Sequence, residues 1–199
     1  MSVRIKSTKK FLNLPCGHAQ HFDTNPDGSP GHCASIHGYD RSVELTFSGD
    51  VDEHGWIFPF GPALKPVKAF LEYYFDHVTV LPADDPRIDT LEEATKPGGP
   101  LAELRVLPSG VSMEMSSLFI WEHVNAYIYN TSGGRVVVEK VHVFEHERNS
   151  GFLEVDIDTA MTQAERYTRN DNGLDFLPMI PRWDWEAPLD AMERVNGLY

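Results

Sequence analysis

The run RVVVEKVHVF, from Arg135 to Phe144, constrains the fold more than any other stretch of the chain. Its β-branched side chains lose rotamer freedom in a helix and pack well on a pleated surface, so the run predicts a strand. A strand needs partners, and the chain offers three. Val43, Leu45 and Phe47 alternate with Ser42, Glu44, Thr46 and Ser48, which marks Tyr39–Val51 as a strand with one buried face. Lys9–Cys16 forms another, and Phe152–Ile157 returns against the valine run across the turn HERNSG.

Between the two strand pairs the period changes. Leu64, Val67, Phe70, Leu71, Tyr74 and Phe75 recur at helical spacing over Pro62–Phe75. Ser112 is positioned to cap a second helix, with Glu114 in its first turn. Met113, Ser117, Ile120, Val124 and Ile128 line one face, and the helix ends before Ser132-Gly133-Gly134. The Pro- and Gly-rich stretch Asp84–Pro100 reads as an inserted loop with one short helical turn. The expected architecture is therefore α+β: a four-stranded antiparallel sheet, ββααββ, with two helices on one face. Residues 1–158 would form that domain, and 159–199 a C-terminal extension packed on it or on a neighbouring copy.

A chain of 199 residues can bury a sizeable core without disulfides or metals. With 17 Lys+Arg against 30 Asp+Glu the net charge is −13, which argues against a general nucleic-acid binder. No apolar run approaches the ~20 residues of a bilayer span, and the basic N-terminus lacks an apolar segment behind it. Only two cysteines occur, Cys16 and Cys33, so a reducing, cytoplasmic setting is expected.

Chemistry concentrates where those cysteines lie. His18, His21, His32 and His37 share one short segment with Cys33. Neutral imidazoles suit zinc, and a thiol beside such a cation has its pKa lowered. The alternative is a polar loop with incidental histidines. Asp76-His77 ends the first helix, where the carboxylate can fix the imidazole tautomer for acid–base work, or where a His⁺ simply caps the dipole. Glu145 leaves the valine strand and could accept two N–H bonds from an amidine edge, such as that of a pterin or guanine, or merely meet solvent.

Six segments appear together in one order over residues 9–150: LPCGHAQ, HCASIHGYDRSVELTFSG, GWIFPFGPALKPVK, FDHVTVL, SMEMSSLFIWEHV and VHVFEHE. In this the chain resembles the 6-pyruvoyl-tetrahydropterin synthase / 6-carboxy-tetrahydropterin synthase family, whose tunnelling-fold subunit has the same ββααββ order. The resemblance implies a cytoplasmic homo-oligomer, ring-type and of a size such as a hexamer. It implies Zn²⁺ held by His18 and His37, catalysis by Cys33, Asp76 and His77, and a pterin anchored by Glu145. Triphosphate would be lost from dihydroneopterin triphosphate, and the close Cys33–His37 spacing resembles the 6-carboxy branch that leads to 7-deazaguanines. Three departures stand out. Tyr39 occupies the place of the family's third zinc histidine, so His32 is expected to complete the metal site, with His21 as the other contender and Tyr39 reaching substrate. Pro59-Phe60 replaces the family's Asp-Phe, and the chain carries the 84–110 insertion and the extra C-terminal residues. A relative with altered pterin or guanine chemistry, or a non-catalytic binding or assembly module, would share the same frame. A redox pair between Cys16 and Cys33 is a further alternative.

Overall fold

A computed structural model describes residues 5–108 and 110–170. The chain runs β1 (Lys6–His18), β2 (His37–Gly49), α1 (Lys65–Phe75), β3 (Val78–Pro82), α2 (Ile88–Leu91), β4 (Leu104–Leu107), α3 (Met113–Thr131), β5 (Val136–Phe144), β6 (Ser150–Glu154) and α4 (Ile157–Asn170). One sheet contains all the strands, in the order β4-β3-β1-β2-β5-β6. The β1–β2, β2–β5 and β5–β6 pairs are antiparallel, whereas β3 runs parallel to β1 and β4 parallel to β3. The expected four-stranded antiparallel sheet is thus corrected to a six-stranded mixed one.

The two added strands explain the miss. β3 (VTVLP) is buried along its whole length, and a strand covered on both faces shows no alternation to read. β4 has four residues and lies behind the Pro/Gly-rich stretch. Together they carry a small separate core of Ala19, Leu81, Ile88, Leu104 and Val106. β3 meets β1 only at Cys16–His18, the end of the strand where the histidines begin.

The main core lies between the sheet and its helices. Val43, Leu45 and Phe47 of β2 and Val141 and Val143 of β5 face Val67, Phe70 and Leu71 of α1 and Ile120, Val124 and Ile128 of α3. Pro62–Leu64 forms a 3₁₀ turn before α1, and Pro66 sits in the first helical turn, where its missing N–H breaks no bond. Ser112 caps α3 as its sequence context implies, accepting from Met115 N–H at 3.2 Å. Trp121 Nε1–H donates to Val138 O at 2.7 Å and pins α3 to β5. A bulge between Phe11 and Leu14 of β1 places Asn13 in the left-handed region at φ 61°. The part of the proposed extension within α4 packs on α3 through Asn125 and Gln163, and residues 171–199 lie outside the described ones.

Candidate active site

β1 ends and β2 begins at one paired position, His18 opposite His37. The loop between them swings out and returns, leaving the two rings 4.4 Å apart, centroid to centroid. Glu145 follows the last residue of β5, and β5 pairs with β2, so the carboxylate arrives at the same end of the sheet. Its Oε1 stands 3.3 Å from His18 Nε2. Ligand atoms of His18, His37 and Glu145 all lie within 4.8 Å of one another.

These three groups fit a divalent metal by their chemistry. His37 Nδ1 lies 2.7 Å from Ser35 O; a carbonyl only accepts, so Nδ1 carries the proton and Nε2 keeps its lone pair. His18 is buried, and its Nδ1 has no partner. Burial first, then the Arg41 charge and the neighbouring His37, push the His18 pKa down to about 3, so its ring is neutral at pH 7 as a metal ligand must be. Arg41 itself is only 1% exposed; Nη1 donates to Ser116 Oγ (3.1 Å) and Nη2 to Val111 O (2.9 Å). Two imidazoles with one carboxylate form a donor set suited to zinc.

Other groups ring this cluster. Tyr39 lies 5.6 Å from His37, 6.0 Å from His18 and 5.4 Å from His146, all between ring centroids. His32 is exposed, its ring 5.8 Å from that of His37 and outside the group of converging donors. Cys33 occupies the middle of a 3₁₀ turn, His32–Ala34. Its N–H donates to Asp23 Oδ2 at 2.8 Å and its carbonyl accepts from Gln20 N at 2.7 Å. Burial, then the nearby charges of Asp23 and Glu145, raise the thiol pKa, so Cys33 rests protonated.

Asp76 and His77 stand apart. Asp76 caps α1, its N–H donating to Glu72 O, while His77 N–H donates to Pro15 O at 2.7 Å. His77 adopts φ 54°, a left-handed conformation that His tolerates better than β-branched residues do. Its Nδ1 lies 2.5 Å from Asp76 Oδ1, so Nδ1 donates and Nε2 remains free; the side chain is 82% exposed. Pro15 precedes His18 by three residues, about 10 Å of strand. Among the described residues, no hydrogen bond or ring contact joins this pair to the histidine–glutamate group.

The model of the 6-pyruvoyl tetrahydropterin synthase family matches residues 7–155. The chain belongs to that family. Solved structures agree on the fold. A Wolinella succinogenes protein described as uncharacterized, WS1659, superposes with a TM-score of 0.66 at 18% identity, covering 78% of this chain and 100% of that one. A catalytic-residue mutant of Plasmodium vivax 6-pyruvoyltetrahydropterin synthase gives 0.53 at 17% identity, covering 77% and 99%. The Plasmodium falciparum 6-pyruvoyl tetrahydropterin synthase gives 0.52 at 16%, covering 76% and 99%. No curated protein sequence matches the chain.

Sequence reasoning assigns no role to Asp23, which holds the Cys33 amide, to Asp85 and Arg87, an ion pair whose arginine donates to Ala34 O, or to His146, which lies beside Tyr39. Asp23 lies in a turn-rich segment and Asp85 and Arg87 in the apparent insertion, where Asp and Arg are ordinary; His146 carries a usable signal, since it follows Glu145 directly on a strand exit.

Proposed function

We propose that the chain is a zinc-dependent, 6-carboxy-tetrahydropterin synthase-like lyase that releases triphosphate from dihydroneopterin triphosphate in 7-deazaguanine biosynthesis, working as a homo-oligomer. The convergence of His18, His37 and Glu145 at the strand end beside Cys33 carries this reading. Zinc at such a site supplies a Lewis acid that acidifies the carbons bearing the substrate's side-chain hydroxyls. His18 and His37 would hold it, with Glu145 in the third place. Tyr39, beside both histidines, bounds the space where the substrate side chain would lie. Cys33 can give or recover one proton at Sγ. His77, oriented by Asp76, offers Nε2 for the second proton transfer.

Glu145 admits a second assignment, because Oε2 faces Asn149 at 3.4 Å and His146 at 3.9 Å rather than the histidine pair. There the carboxylate would hold the amidine edge of the pterin, and His32, 5.8 Å from His37, would complete the metal site. Zinc stoichiometry separates the two. Glu145→Gln loses bound zinc and His32→Ala keeps it under the first assignment; the reverse holds under the second.

A triphosphate demands positive charge. Arg41 is buried and the Arg87 head is taken by Asp85, so the exposed Arg148, three residues past Glu145, is the arginine best placed to meet it among the described residues. Arg148→Ala is expected to raise KM roughly tenfold with little change in kcat. The deciding experiment is product analysis after incubating zinc-loaded protein with dihydroneopterin triphosphate. A 6-carboxy product supports the reading, a 6-pyruvoyl product overturns the branch, and no release of triphosphate overturns the lyase.

A further inference from the structure

The Cys33 turn is held at two points by side chains from outside it. On one side Asp23 Oδ2 accepts the Cys33 N–H at 2.8 Å, while Asp23 O accepts from Gly31 N at 2.8 Å. On the other, Arg87 Nη1 donates to Ala34 O at 2.6 Å. Arg87 is itself locked: Nε and Nη2 donate to the two oxygens of Asp85 at 2.9 and 2.6 Å. The Asp85 carboxylate has no exposed surface, and Ile88 beside it belongs to the small core under β3 and β4. A planar guanidinium satisfied on one edge by a carboxylate presents its remaining N–H in a fixed direction, unlike a lone flexible cation.

Gly31 shows how closely the Asp23 arm fits. A Cβ built there would meet Asp23 Oδ2 at 2.1 Å and Cγ at 2.4 Å. Gly31 has φ −73°, which any residue adopts, so the requirement for glycine is space taken by the Asp23 carboxylate. The missing side chain lets that carboxylate reach the Cys33 amide.

We propose that Asp23 and Arg87 are positioning residues that clamp the turn bearing Cys33, and that the β3–β4 segment is the anchorage from which Arg87 does so. This rests on the reading of Cys33 as catalytic. The apparent insertion thereby acquires a structural role, since it supplies β4 and the Asp85–Arg87 pair, which with β3 form a bracket that fixes the turn against the end of β1. A thiol that must exchange a proton with one carbon loses rate steeply with small displacements.

The test uses full-length, zinc-loaded protein with Asp23→Ala, Asp23→Asn, Gly31→Ala and Arg87→Ala. Circular dichroism and melting establish that each variant folds. Amide hydrogen exchange over residues 31–35 and iodoacetamide labelling at one fixed pH report the turn directly; Cys16 is buried, so labelling reads Cys33. Triphosphate release gives kcat and KM. Asp23→Ala, Gly31→Ala and Arg87→Ala are expected to speed exchange of the turn about tenfold and to lower kcat roughly a hundredfold, with KM within about threefold. Asp23→Asn, whose amide oxygen can still accept from Cys33 N–H, should restore both exchange and kcat to near wild type. Gly31→Ala is the sharpest arm, since it removes no polar group. Unchanged exchange in the three disruptive variants overturns the clamp. So does faster exchange with undiminished kcat. If wild-type protein releases no triphosphate, the proposed function fails, and exchange and labelling still decide whether the turn is clamped.

Discussion

Asp85 keeps its charge in a place with no access to water. Burial alone would raise its carboxyl pKa, yet hydrogen bonds from the Arg87 side chain and backbone, followed by the Arg87 charge, hold it below the usual carboxylate range. A carboxyl harder to protonate when folded stabilises the fold at pH above its unfolded value, about 3.9, and that contribution is lost as pH falls through the lower folded value. Denaturant midpoints followed from about pH 6 to pH 3 should therefore show Asp85→Asn below wild type near neutrality and the two curves converging in acid. A gap that stays constant across that range would mean that the ion pair is not its source. At this scale the sequence disclosed residue types and little of their pairing. His18, His37 and Glu145 were visible individually, but their convergence depends on strand ends that no short motif encodes. His32 was the natural choice for a vacant ligand place on proximity in sequence; in the fold it is exposed, 5.8 Å from His37 between ring centroids, while Glu145, at the end of β5, is the group that converges with His18 and His37.

Elements are joined in this fold through buried polar side chains as much as through apolar faces. Asn125 of α3 is fully buried; its Nδ2 donates to Ala160 O at 2.8 Å and to Gln163 Oε1 at 2.6 Å, while its Oδ1 accepts from Val138 N at 2.9 Å. Val138 sits where the β2–β5 register slips past Glu139, so its amide turns to the helix rather than to the neighbouring strand. One side chain thus ties α3, α4 and β5. Asn125→Ala is expected to cost about 2–4 kcal/mol, because it strands buried donors and acceptors as well as opening a small cavity. Thermal unfolding should show this as a drop of several degrees, and a loss within about 0.5 kcal/mol would mean that the junction is dispensable. β2 and α1 were legible because each has one face more buried than the other and therefore a period, whereas α3, buried at every position from Ser116 to Trp121, was marked by its Ser112 cap and its Ser132-Gly133-Gly134 stop. β3 and β4 were not legible, being short, parallel and covered on both sides. Those two strands carry the bracket behind the Cys33 turn.

The whole molecule poses a question of reach. The Asp76–His77 dyad is oriented for proton transfer, yet it points to solvent about 10 Å along the strand from His18. General acid–base catalysis requires approach to hydrogen-bond distance. A homo-oligomer resolves this if the exposed dyad of one copy completes the His18–Cys33 site of another, because closed symmetry then completes every site in turn. Co-expression of Cys33→Ala with His77→Ala separates the arrangements. Each variant alone is expected to lose nearly all activity. Were the two groups to serve one site within a chain, no mixture would contain a complete site. Were they to meet across a contact, random assembly would pair an intact Cys33 with an intact His77 in about one quarter of the sites. Recovery near a quarter of wild-type turnover in the mixed oligomer is the expected result. A mixture as inactive as its components would place the dyad's role within its own chain.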